Sequence, residues 1–261
     1  MGMFDSRSNA AADASRHEPS DSRARHDLAH YWRTRQDHTG PMIDHLIPNN
    51  LACFLAWAAD RLSLHPNHVS IASGLTGLAG FVYALLAPTE AFVVAVLILF
   101  AFAQLSYLLD LADGQLARVT GTASDFGAFL DLGIDVPCRF LMYGSLFAFL
   151  YRHGAAVGDD ALAAAALLVG FVHLLTNDAR FALDLLYPAR FPGGKGRKAE
   201  RGLIRALRFV SGNLVGTQAG ILMFLVAAAS PLLCLAGFAA HAAFNLIVYL
   251  RYFQMARRRS R

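Results

Sequence analysis

The chain has 261 residues, of which 56% are hydrophobic and only 16% are charged, and its formal net charge is +4. A mean hydropathy of +0.40 argues against a soluble fold and favours an integral membrane protein. Nucleic-acid binding is disfavoured because the basic residues lie at the ends of apolar segments, without interleaved aromatic residues. Cys53, Cys138 and Cys234 are far apart and follow no CxxC spacing, so the sequence indicates neither a disulfide framework nor a zinc site.

The first part of the chain is polar. Residues 1–40 are rich in Ser, Asp, Arg, Ala and His and lack the apolar core of a signal peptide, which predicts a disordered tail. In residues 41–65, apolar side chains recur at helical spacing. This spacing predicts an amphipathic helix on the membrane surface, bent at Pro48, although a helix of a soluble domain would show the same pattern.

Residues 66–253 contain long apolar stretches, and a helix needs about 20 such residues to cross the ~30 Å of membrane hydrocarbon. We predict spans at residues 69–88, 91–109, 125–151 and 161–177, the last continuing toward Leu186, and two more within 209–250, divided near Ser230-Pro231. The sequence therefore predicts an all-α integral membrane protein with six transmembrane helices.

The orientation in the membrane follows from the basic residues, since Lys and Arg in short loops favour the cytoplasmic side. The segment 180–208 holds eight of them, and the C-terminal tail 254–261 is basic as well. With six spans, these two segments and the N-terminal tail lie on one side. We therefore expect both termini on the cytoplasmic face of a cytoplasmic or inner membrane.

Four aspartates lie where the second predicted span ends and the third begins: Asp110, Asp113, Asp131 and Asp135. Carboxylates at a membrane edge are costly to bury and indicate function by default. Spacings of three and four residues put each pair on one helix face, so a short turn can bring all four together. Four converging charges require cations, and all-oxygen ligation favours two Mg²⁺ or Mn²⁺ ions, an arrangement suited to phosphoryl chemistry.

Small residues and an arginine accompany the aspartates. Gly114, Ala117 and Gly127 leave room for a base or a diphosphate to approach the backbone, and Arg118 offers a cation to phosphate oxygens. Taken alone, the glycines equally fit helix packing, and Arg118 equally fits an anchor on the cytoplasmic side. Their position beside four aspartates favours a ligand site.

The stretch Asp110-Leu-Ala-Asp113-Gly114-Gln-Leu-Ala117-Arg118, eight further residues, and Gly127-Ala-Phe-Leu-Asp131-Leu-Gly-Ile-Asp135 resemble the complete signature of the CDP-alcohol phosphotransferase (CDP-alcohol phosphatidyltransferase) family. The spans and the amphipathic helix extend the resemblance over roughly residues 42–253. His65-Pro66-Asn67-His68-Val69-Ser70 resembles a second family segment, which usually begins with Thr instead of His.

The resemblance implies a phosphotransferase of phospholipid synthesis, which moves a substituted phosphate group from a CDP-linked donor to an acceptor hydroxyl and releases CMP. It implies two divalent metals on the four aspartates, with Asp135 also acting as the base toward the acceptor. It further suggests a homodimer. The donor site that it implies consists of Asn67, Ser70, Gly114, Ala117, Arg118 and Gly127.

The signature leaves the substrates open. The donor is either a lipid, such as CDP-diacylglycerol, or CDP-choline or CDP-ethanolamine acting on diacylglycerol. Basic residues after the fourth span favour a phosphorylated acceptor, with an uncharged alcohol and a simple membrane-side anchor as alternatives. These acceptor candidates are Arg180, Lys195, Arg197 and Arg201. His173, Asn177 and Asp178 either shape the acceptor pocket or form hydrogen bonds between helices.

Two other classes of protein compete with the enzyme. A divalent-cation transporter would also use clustered carboxylates, but the aspartates lie at one membrane edge and the spans show no inverted repeat. A catalytically silent scaffold would not need four aspartates together with Gly114, Ala117 and Arg118. Both classes are therefore disfavoured.

Overall fold

The computed structural model describes residues 26–34, 48–186 and 217–259. These residues form α-helices, and they contain no strand. The helices are α1 (Leu28–Thr34), α2 (Pro48–Arg61), α3 (Pro66–Leu86), α4 (Phe92–Thr120), α5 (Asp125–Val157), α6 (Asp160–Leu186), α7 (Thr217–Ala229) and α8 (Pro231–Arg259). The predicted all-α fold is confirmed.

Four helices, α3 to α6, are long and apolar enough to cross a membrane. The described parts of α7 and α8 contribute shorter apolar helices, Thr217–Ala229 and Pro231–Ile247. The predicted division at Ser230-Pro231 separates them, because proline begins a helix readily but interrupts one that is under way. The chain is an integral membrane protein. In its described residues, four of the six predicted spans are helices long enough to cross a membrane.

Helix α4 is longer than the span predicted there. It runs for 29 residues, so Asp110 and Asp113 lie well inside the helix and not at its end. The helix stops at Gly121, whose φ of 65° is the left-handed conformation that glycine adopts readily. Ser124 then caps α5 by accepting a 3.0 Å hydrogen bond from the N–H of Gly127. This short connection brings the end of α4 next to the start of α5.

Helix α1 lies within the segment that the sequence predicts to be a disordered tail. In the described residues 26–34 the chain forms this helix, and Tyr31 is fully buried against α2 and α4. Tyr31 is the buried residue of this helix. One aromatic side chain in a polar segment is too little to show up in a hydropathy pattern. The predicted amphipathic helix is found from Pro48 onward, and residues 41–47 lie outside the described part of the chain.

The core of the membrane domain lies among helices α3 to α8. Helix α3 packs against α4 and α5, α5 packs against α6, and α7 lies between α4 and α8. The largest fully buried apolar side chains include Leu99, Leu146, Phe149, Phe224 and Phe238. Because the packing fixes α3, α4 and α5 against one another, it also fixes the polar residues at their adjoining ends.

Candidate active site

Three of the four aspartates converge. Asp110, Asp113 and Asp131 each offer a carboxylate oxygen within 4.8 Å of the others. Asp113 is 4% exposed, and its Oδ2 is buried without a hydrogen-bond partner. A buried carboxylate oxygen that receives no hydrogen bond is costly, and a cation between the three side chains would compensate it. The three residues therefore fit a divalent ion bound by oxygen ligands.

Asp135 lies one turn beyond Asp131 on α5 and stands apart from this group. Its Oδ2 accepts a 2.7 Å hydrogen bond from Nη2 of Arg139 and forms an ion pair with it. Asp178 of α6 is near enough to interact electrostatically with both residues. The sequence did not single out Arg139, although its spacing of four residues from Asp135 on a helix is the signal that would have indicated the pair.

A cleft of about 190 Å³ opens beside Asp113 and Asp131. Thr122, Ala123 and Ser124 line it from the connection between α4 and α5. The structure also brings the predicted donor residues together around this space. They are Asn67, Ser70, Gly114, Ala117, Arg118 and Gly127. We refer to this space as the first cleft.

Two glycines of the first cleft occupy positions where a side chain would intrude. A Cβ atom on Gly114 would lie 3.2 Å from Nη1 of Arg118, and one on Gly127 would lie 3.2 Å from Oγ of Ser124. A Cβ atom on Gly133, between Asp131 and Asp135, would meet nothing within 4 Å. Gly114 and Gly127 therefore keep the cleft open, whereas Gly133 does not.

The start of α3 forms another wall of the first cleft. His65 caps this helix, and its Nδ1 accepts a 3.2 Å hydrogen bond from the N–H of Asn67. A threonine hydroxyl, as in the related family segment, would accept the same bond. The histidine thus keeps the capping role, and Asn67 and Ser70 remain in the wall of the cleft.

A second cleft, of about 130 Å³, reaches the other two aspartates, Asp110 and Asp135. Arg139 is the cation among its described lining residues. The rest of its wall consists of Ser73, Ser106, Tyr107, Cys138, Met142 and Thr217. The carboxylates therefore lie between two spaces of different chemistry, one next to Arg118 and one next to Arg139.

The side chains of the predicted acceptor residues lie outside the part of the chain that the structure describes. Lys195, Arg197 and Arg201 lie outside the described residues, and so does the side chain of Arg180. His173 lines neither cleft, because it is fully buried in the core with its ring centroid 4.6 Å from that of Phe238. This placement favours the packing interpretation of His173 over a place in the acceptor pocket.

The apolar helices and the carboxylates between two clefts define a membrane-embedded enzyme with an acidic, metal-compatible site. The model of the CDP-alcohol phosphatidyltransferase family matches residues 63–253. The chain belongs to this family. Membership identifies a transferase that takes a CDP-alcohol as donor and a hydroxyl compound as acceptor, in a family that typically depends on divalent metals. It gives no support to the transporter alternative. None of the curated proteins matches the chain significantly.

Proposed function

We propose that the protein transfers a phosphatidyl group from CDP-diacylglycerol to the hydroxyl of a small polar alcohol and releases CMP. The observation that carries this proposal is the pair of clefts that meet at the carboxylates. A transfer between two substrates requires the donor phosphorus and the acceptor oxygen to be held close together from different directions. The first cleft would hold the CDP group, and the second would hold the acceptor.

Asp110, Asp113 and Asp131, with Asp135 beside them, would hold two Mg²⁺ or Mn²⁺ ions. When bound, such ions offset the charge of the diphosphate and of departing CMP. Arg118 would donate hydrogen bonds to the phosphate oxygens from the wall of the first cleft. The absence of side chains at Gly114 and Gly127 leaves space for the nucleotide there.

The second cleft would supply the base. The acceptor oxygen forms a bond to the phosphorus that carries the diacylglycerol group, and the bond from that phosphorus to the CMP oxygen breaks. The hydroxyl proton passes to the carboxylate of Asp135, whose orientation is set by the 2.7 Å hydrogen bond from Arg139. Asp135 would therefore be the catalytic base, and Arg139 a positioning residue.

The second cleft also supports a small polar acceptor. Two hydroxyls in its wall, those of the buried Ser73 and Ser106, donate to each other's backbone oxygens at 2.9 and 3.0 Å. The same wall contains Thr217 and the charged Asp135 and Arg139. Diacylglycerol, the acceptor in the CDP-choline alternative, would have to strip water from these groups without replacing their hydrogen bonds. A phosphorylated alcohol would pair with Arg139, and an uncharged alcohol would use the hydroxyls.

We propose that both clefts face the cytoplasmic side, together with both termini, because the basic segments of the sequence favour that side. CDP-linked donors and water-soluble acceptors reach the enzyme from there. We also propose a homodimer, on the strength of the family resemblance alone.

CMP release by the purified protein tests the proposal. CDP-diacylglycerol and CDP-choline are compared as donors with glycerol phosphate, inositol phosphate, serine, inositol and diacylglycerol as acceptors. We expect CMP release from CDP-diacylglycerol with one of the small alcohols. Release from CDP-choline with diacylglycerol would reverse the assignment of donor and acceptor, and no release from any pair would reject the transferase activity.

Arg139→Gln then shows which kind of acceptor the second cleft takes. If the active acceptor is phosphorylated, its KM rises more than the donor KM. If the acceptor is uncharged, the loss of orientation at Asp135 lowers kcat and changes the acceptor KM little. Arg61→Gln is the matched control, since Arg61 is an exposed arginine on α2 that stacks over Trp57.

A further inference from the structure

We infer that Gln115 is a positioning residue for Arg118, and that the N-terminal helix α1 anchors Gln115 in this role. The inference rests on the proposed function, in which Arg118 binds the donor diphosphate. It extends the donor site to Gln115 and to helix α1, neither of which lines the first cleft.

The amide of Gln115 is engaged at both ends. The residue is 3% exposed, and its Nε2 donates to the backbone oxygen of Tyr31 at 3.2 Å and to Oγ1 of Thr34 at 3.4 Å. Its Oε1 accepts a 3.1 Å hydrogen bond from Nη2 of Arg118. A carbonyl can only accept and a guanidinium can only donate, so one orientation of the amide satisfies both partners.

Helix α1 is firmly held, which makes the Tyr31 carbonyl a fixed acceptor. The Tyr31 side chain is fully buried against Ala52 and Ala56 of α2. This burial, together with the nearby charge of Asp60, raises the pKa of the Tyr31 phenol. The N–H of His26 donates to Oδ2 of Asp60 at 3.3 Å, a second attachment of this segment to α2.

The hydrogen bonds that run from the Tyr31 carbonyl through Gln115 to Arg118, which we call the link, end in the wall of the first cleft. Arg118 lies there, and its side chain must give up rotamer freedom to hold a phosphate. The hydrogen bond from Arg118 to Gln115 orders the guanidinium in advance, because Gln115 is itself held by α1. Ordering a binding group before the ligand arrives improves affinity without touching the reacting atoms. Gln115 should therefore act on donor binding and not on the chemical step.

The test compares Gln115→Leu with Arg33→Ala in the full-length protein. Leucine keeps the bulk of glutamine and removes both ends of the link, whereas Arg33 is exposed on α1 and bonds to the Ala29 carbonyl of its own helix. We expect Gln115→Leu to raise the donor KM and the Kd of CMP about three- to tenfold, as for one lost hydrogen bond. Both kcat and the acceptor KM should stay within about twofold, and Arg33→Ala should match wild type.

A second variant tests the anchor. Tyr31→Ala removes the buried side chain that holds α1, so it should reproduce the increase in donor KM. The double variant with Gln115→Leu should then be no worse than the more severe single variant, because both changes break the same link. Additive effects would overturn the role of α1.

A fluorescence measurement does not depend on turnover or on the stability of Tyr31→Ala. The two tryptophans of the chain are Trp32 on α1 and Trp57 on α2, so Trp57→Phe leaves Trp32 as the single reporter. Binding of CMP should change the fluorescence emission of Trp32, because the link connects Arg118 to α1. Gln115→Leu should abolish this change while CMP still binds.

The outcomes separate the inference from the proposed function. A wild-type protein that neither binds CMP nor releases it would overturn the proposed function. A wild-type protein that binds CMP, with an unchanged Kd in Gln115→Leu, would overturn the inference alone. An equal loss of kcat and of both affinities in Gln115→Leu would also overturn it, since that pattern indicates general damage to the fold.

Discussion

Arg139 donates a 2.7 Å hydrogen bond to Asp135 across one turn of α5. Asp135 is paired in this way, whereas Asp131, one turn earlier on α5, converges with Asp110 and Asp113 of α4. This arrangement suits different roles, with Asp110, Asp113 and Asp131 as metal ligands and Asp135 as a ligand that also acts as the base.

Asp135→Asn and Asp110→Asn should fail in different ways. Asparagine keeps the shape of aspartate but cannot accept the proton, so Asp135→Asn should lower kcat by roughly 10²–10⁴. Asp110→Asn removes a ligand charge without removing the base, and it should weaken metal and donor binding. Added Mg²⁺ should therefore restore CMP release in Asp110→Asn and restore little in Asp135→Asn. Near-normal kcat in Asp135→Asn would show that the proton leaves by another route.

Removing metal should abolish activity. We expect EDTA to stop CMP release and added Mg²⁺ or Mn²⁺ to restore it, because both ions suit a compact set of oxygen ligands around a diphosphate. Ca²⁺ should not restore it, since Ca²⁺ prefers more ligands at longer distances. Titration with Mn²⁺, followed by electron paramagnetic resonance, should give two bound ions per chain. Full activity in excess EDTA would contradict the metal site.

Gly114→Ala should weaken donor binding without unfolding the protein. The new Cβ atom would lie 3.2 Å from Nη1 of Arg118, so the guanidinium must move away from its place in the first cleft. The donor KM should rise severalfold while kcat changes little, as measured by CMP release over a range of donor concentrations. Gly133→Ala is the matched control, since its Cβ atom enters open space and alanine favours helices. Equal donor KM values for both variants would contradict the proposed role of Gly114.

The sequence predicts much of the fold because the membrane imposes simple rules. Apolar length locates α3 to α6, and Pro231 marks the break before α8. The signature likewise indicates the residues of the first cleft, because small residues and charges at helical spacing must share a face. These features depend on local pattern alone.

Other features depend on contacts between distant segments. Nothing local shows that Tyr31 is buried against α2, or that its carbonyl meets Gln115, which lies 84 residues further along the chain. The pairing of Asp135 with Arg139 is a local contact instead, and a basic residue four positions after an acidic one on a helix does not by itself indicate an active site. The uncharged stretch defines the predicted second span only to residue 109, whereas α4 continues past its apolar part to Thr120.

Gly154→Ala tests the packing that holds α5 in place. Gly154 is buried near the end of α5, about 28 Å from Asp135 at 1.5 Å per helical residue. Its new Cβ atom would lie 2.8 Å from the backbone nitrogen of Ala163 and 3.1 Å from the carbonyl oxygen of Asp159. Backbone atoms cannot turn aside as a side chain can, so the start of α6 must shift away from α5.

Overpacking of this kind costs about 1–3 kcal/mol of the free energy of unfolding. Thermal unfolding of Gly154→Ala in detergent should therefore occur at a clearly lower temperature than that of wild type or of Gly133→Ala. The donor and acceptor KM values of the folded protein should stay close to normal. The first cleft lies at the other end of α5, and the second reaches along α5 no further than Met142, about 18 Å from Gly154 at 1.5 Å per helical residue. A normal unfolding temperature would show that α6 does not pack against α5 as closely as the structure indicates. Altered KM values in a protein of normal stability would show that the two ends of α5 are coupled.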